Sequence, residues 1–159
     1  MATISVTMPT FFRRSLYTLL AVSWCTGLTF FVFLNWVTIE GDFGPEKHPL
    51  QFSILQLHGA CAFLMMMFYG ALLGAHLPAS WKTKRSRNIG IGLATLIGLQ
   101  IISAYGLYYL SDEEIRQWVS WFHLGLGGGL PVMLATHVVM GLRSRSARRN
   151  ARRSAINNA

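Results

Sequence analysis

The chain has 159 residues, 52% of them hydrophobic, with a formal net charge of +8 and a mean hydropathy of +0.39. That is too apolar for an ordinary soluble domain and too short for more than one. The positive charge calls for no nucleic acid, because 12 of the 14 basic residues flank apolar stretches, where they set membrane topology and attract anionic headgroups.

Four stretches are long enough to cross about 30 Å of hydrocarbon at roughly 20 residues each. They are Leu16–Ile39, Phe52–Leu77, Ile89–Leu110 and Trp118–Leu142. The expected architecture is all-α, an integral membrane up-down four-helix bundle over residues 1–142 with a basic tail over 143–159. Arg13 and Arg14 precede the first stretch, and its apolar run exceeds a cleavable signal core, so a retained first helix is expected. The connection Glu40–Gln51 carries Gly41, Gly44, Pro45 and Pro49, all turn residues, and Pro49 suits the first turn of the second helix.

The second stretch ends beside Pro78, and a short basic connection follows with Lys82, Lys84, Arg85 and Arg87. The third stretch leads to Ser111, read as an N-cap with Glu114 three residues on. The acidic turn is expected to run directly into the fourth stretch, which contains Pro131, a proline that frees the Gly127 carbonyl. The tail from Ser144 is read as disordered or lying on the membrane surface. With basic residues on one side and all six acids with Lys47 and Arg116 on the other, both termini are expected in the cytoplasm of a bacterial inner-membrane protein. Trp36, Trp81, Trp118 and Trp121 stand near the expected interfaces. Cys25 and Cys61 lie in spans without a C-x-x-C context, which excludes covalent haem attachment and leaves them as small buried hydrophobes.

Ionisable residues inside spans usually mark function. The second stretch carries His58 and His76, and the fourth carries His123 and His137. On an uninterrupted α-helix, eighteen residues make five whole turns, and fourteen leave the two rings about 40° apart, so each pair shares a face. The members of a pair are about 27 and 21 Å apart by helical rise, so the four cannot share one metal. His76 and His137 each stand six residues before a basic residue, Lys82 and Arg143, which matches their depth. At the other end the corresponding spacings differ by four residues, about 6 Å of rise, a mismatch for helix tilt or a bend at Pro131 to absorb. Two bis-histidine haem b groups, an inner one on His76 and His137 and an outer one on His58 and His123, are the expected cofactors. Glycines on three of the helices would give a macrocycle clearance, and they also suit plain helix packing. His48, beside Lys47, is a candidate hydrogen-bond donor to a quinone carbonyl or a haem propionate. Arg116 on the outer side and the basic connection on the inner side are candidate propionate partners.

Gln56-Leu57-His58-Gly59, Gly70-x-x-x-Gly74-x-His76 with Pro78-x-x-Trp81, and Trp121-Phe122-His123 with His137-x-x-x-Gly141 resemble the bacterial b-type cytochromes. These comprise the cytochrome b561-like proteins and the membrane cytochrome b subunits of formate dehydrogenases and hydrogenases. The likeness spans residues 50–142. It implies a quinone-linked electron-transfer subunit of a membrane oxidoreductase, with His58, His76, His123 and His137 as iron ligands. It also implies a partner subunit or, against the acidic outer face, a c-type cytochrome. Two other classes stay open, a cofactor-free structural or assembly subunit and a transporter relaying protons through histidine.

Overall fold

The computed structural model describes residues 8–78 and 87–157. Four helices dominate it, and each is long and apolar enough to cross a membrane. They are α1, Thr10–Trp36; α2, which runs as an α-helix over Leu50–Ala71 and passes into a π-helical turn over Leu72–His76; α3, Arg87–Tyr109; and α4, Glu113–Asn157. A two-stranded antiparallel hairpin, β1 (Thr38–Gly41) and β2 (Gly44–Lys47), joins α1 to α2. The all-α class and the four spans match the expectation from sequence. The connection carrying Lys82, Lys84, Arg85 and Trp81 lies outside the described residues.

The chain divides into two compact units, Met1–Leu72 and Leu73–Ala159. In the first, α1 and α2 run antiparallel, since Phe12 stacks on Phe68 at one end while Ser23 reaches His58 further along. In the second, α3 and α4 do the same. Gly90 lies against His137, and Gly106 lies against Val119. Among the described residues, Leu16 and Cys61 are the buried apolar ones. Leu, Phe, Trp and Tyr side chains cover the helix surfaces instead, as expected where lipid is the solvent. Cys25 is exposed, contrary to its reading as a buried hydrophobe, because it stands on the helix face turned away from α2's His58.

Four local details depart from the sequence reading. The first helix ends at Trp36, three residues before the expected Ile39, because the β-branched Thr38 and Ile39 extend into a hairpin. That hairpin pairs Thr38 with Lys47 and Gly41 with Gly44, leaving Asp42 and Phe43 at the tip. Gly44 sits at φ 119°, a conformation that a side chain would strain. The second detail is the π turn before His76. A π turn winds more residues per turn than an α turn, so the five whole turns expected between His58 and His76 do not hold across it. The third is the cap of α4. Asp112, not Ser111, accepts the Ile115 backbone N–H through Oδ1 at 2.9 Å, the usual N-cap geometry. Fourth, α4 does not stop at Leu142. Its 45 residues pass through Pro131 and the basic tail to Asn157, about 67 Å of helix at 1.5 Å per residue. The tail is therefore helical.

Candidate functional site

Each of the four span histidines is half-buried, and each has a distinct setting. His58, on α2, turns toward α1. Its Nδ1 lies 2.9 Å from the Ser23 carbonyl oxygen and 3.2 Å from Thr26 Oγ1. The Thr26 hydroxyl already donates to the Val22 carbonyl at 2.8 Å, so it accepts from the ring. The proton is thereby held on Nδ1, and the lone pair falls on Nε2. This is how a second partner fixes the tautomer of a metal-binding histidine. The ring lies against Gly27, where a Cβ would come within 2.9 Å of His58 Cε1. Here α1 needs a glycine to admit the imidazole.

His123, on α4, is gripped at both nitrogens from α3. Ser103 Oγ stands 2.9 Å from Nδ1, and Gln100 Nε2 stands 3.0 Å from Nε2. Ser103 donates to the Gln100 backbone carbonyl at 3.0 Å, so its oxygen accepts the His123 Nδ1 proton. The Gln100 amide then donates to Nε2. The three groups form a closed network of donors and acceptors, with Ser103 buried at 5% exposure. One atom is left over, since Gln100 Oε1 is buried without a hydrogen-bond partner.

His76 and His137 meet in the second unit. Their ring centroids are 6.5 Å apart with planes 76° from parallel. The π turn of α2 delivers His76. His137 comes from α4 one turn before Gly141, with Gly90 of α3 behind it at 3.5 Å from a would-be Cβ. His137 Nδ1 is buried and has no hydrogen-bond partner. A Cβ built on Gly141, one turn from His137, would meet nothing within 4 Å.

The structure thus brings His76 and His137 together as the sequence expected. It seats His58 and His123 in separate units, each with its own protein partners. Among the described residues no group of three or more His, Cys, Asp or Glu gathers at one point. His48, in the loop before α2, accepts the Leu50 backbone N–H on Nδ1 at 3.1 Å and meets Phe33 edge-on at 5.2 Å. Its proton accordingly belongs on Nε2. Met66 and Met67 are exposed, as Met-rich helix faces often are. Sequence reading missed Ser23, Thr26, Gln100 and Ser103 as histidine partners. A signal existed, in that polar residues inside apolar spans need partners.

Comparison of the chain with protein-family models, curated proteins and solved structures finds no match.

Proposed function

We propose that this chain is a membrane cytochrome b of the bacterial inner membrane, with both termini cytoplasmic, that carries electrons between a quinone and a redox partner. The observation that carries the reading is the His76–His137 pair. A metal bonded at about 2 Å to each nitrogen sets two facing imidazole centroids roughly 6 Å apart, and the observed separation is 6.5 Å. Two histidines without a third ligand suit axial haem binding better than zinc, which takes three or four protein ligands.

Bound haem b supplies a one-electron carrier inside the bilayer. The chain's residues do the rest. Ser23 and Thr26 hold His58 with its lone pair on Nε2. Ser103 does the same for His123, but there Gln100 occupies Nε2. A ligand on His123 Nε2 would therefore require the Gln100 amide to turn aside. Apolar helix faces keep the ligands dry. The acidic outer side, with Glu40, Asp42 and Glu46 on the hairpin and Asp112 to Glu114 at the start of α4, suits a basic redox partner such as a c-type cytochrome.

A reduced-minus-oxidised visible spectrum of the purified chain, with a haem-to-protein ratio, tests this. Two haems per chain are expected and one reduces the site to the inner pair. No haem would refute the reading and return the chain to the structural-subunit class. The orientation is tested by a periplasm-active reporter fused after Ala159, which is expected to stay silent.

A further inference from the structure

We propose that a recess at the amino-terminal end of α1 binds the phosphate of an anionic membrane phospholipid. The proposal depends on the helices spanning a membrane and not on haem. The recess has a volume of ≈ 470 Å³ and is lined by Phe11, Arg14, Ser15, Thr18 and Leu19 of α1 and Phe68 of α2. The α1 residues follow the i, i+3, i+4, i+7, i+8 spacing that makes one stripe on a helix. It therefore sets a guanidinium and two hydroxyls side by side between aromatic walls.

The hydroxyls behave differently from others in the spans. Thr26, Thr29 and Thr136 each donate to the carbonyl four residues back, at 2.8, 2.8 and 2.9 Å, the usual recourse of a hydroxyl in an apolar helix. Ser15 and Thr18 make no such bond, and neither they nor Arg14 hydrogen-bonds or ion-pairs with another described residue. The first acid after Arg14 in the chain is Glu40, beyond the other end of α1. Three side-chain donors thus converge on one recess without an acceptor among the described residues.

Position identifies the acceptor. Arg14 stands two residues before Leu16, where the apolar run begins, which is headgroup depth for a helix that crosses there. Phe11 is 81% exposed beside it. A guanidinium engages a phosphodiester with two parallel hydrogen bonds, and Ser15 and Thr18 can donate to its remaining oxygens. The helix starts at Pro9 with no side-chain cap, so its positive end adds to the attraction for an anion. Phe11, Leu19 and Phe68 suit the glycerol and first acyl carbons of a lipid. Free phosphate would have no use for them.

Native mass spectrometry of the full chain in neutral detergent, titrated with phosphatidylglycerol or phosphatidylcholine, tests the site. Retention of phosphatidylglycerol over phosphatidylcholine is expected, with Arg14→Gln weakening it about tenfold. Arg13→Gln removes the same charge one residue away, outside the recess, and is expected to change retention less than about twofold. Ser15→Ala combined with Thr18→Val should fall between the two. Equal losses from Arg13→Gln and Arg14→Gln would overturn the proposal in favour of unspecific charge. Displacement of the lipid by millimolar inorganic phosphate would overturn it in favour of a free-anion site. The haem spectrum is expected to be unchanged in Arg14→Gln, and a lost haem signal would overturn the lipid assignment by making Arg14 a propionate partner.

Discussion

The two ends of the α3–α4 hairpin hold histidines from the same helix in opposite ways. At one end His123 has both nitrogens taken by Gln100 and Ser103, with Gln100 Oε1 the one buried atom of that network left without a hydrogen bond. At the other end His137 has a buried nitrogen without a hydrogen bond and faces a second imidazole, that of His76. Leaving a buried polar atom unpaired costs about 1–3 kcal/mol, so the His137 end is poorer in protein partners than a packing histidine would be. Under the proposed ligation, a ligand at His123 Nε2 would have to displace Gln100, whereas His137 Nδ1 holds no hydrogen bond to lose.

Removing one axial histidine gives the largest effect. His76→Ala and His137→Ala are each expected to lower haem content from two to one per chain and to erase the same spectral component, as measured by haem extraction and difference spectra. Loss of different components would break the pairing. Next comes Gly27→Val, which sets a branched side chain where even a Cβ falls 2.9 Å from the His58 ring. It is expected to remove the outer haem and spare the inner one. Ser103→Ala deletes the acceptor of the His123 Nδ1 proton. Second-shell losses of this kind weaken metal binding about 10- to 100-fold, so haem titration should show a weaker outer site beside an unchanged inner one. An unaffected outer site would make the Ser103–His123 bond a packing feature. Asp112→Ala gives the smallest effect. It removes the cap of α4 and should cost about 1 kcal/mol of thermal stability with no change in either spectrum.

Much of this molecule is legible in its sequence, because length and hydropathy alone specify four spans. The likeness in depth between His76 and His137, each six residues before a basic residue, foretells their meeting in the structure. Other features escape such reading for physical reasons. The π turn before His76 arises from hydrogen bonding that shifts by one residue, and periodicity arguments assume an unbroken α-helix. The cap of α4 falls to Asp112 because Ser111 and Asp112 both offer a capping oxygen, and only the backbone path chooses between them. The helical tail is hidden because its arginines lack the apolar stripe that usually announces a helix. The partners of His58 and His123 depend on which faces of neighbouring helices meet, which a single sequence does not state.

The ring geometry at His76 and His137 provides the most direct test. If the two imidazoles are axial haem ligands, planes 76° apart would leave two iron d orbitals nearly equal in energy and make a low-spin ferric haem strongly anisotropic. Low-temperature electron paramagnetic resonance of the oxidised full chain is expected to show a low-field, strongly anisotropic low-spin signal that disappears in both His76→Ala and His137→Ala. Absence of any low-spin ferric signal, or its survival in either variant, would contradict axial ligation by this pair.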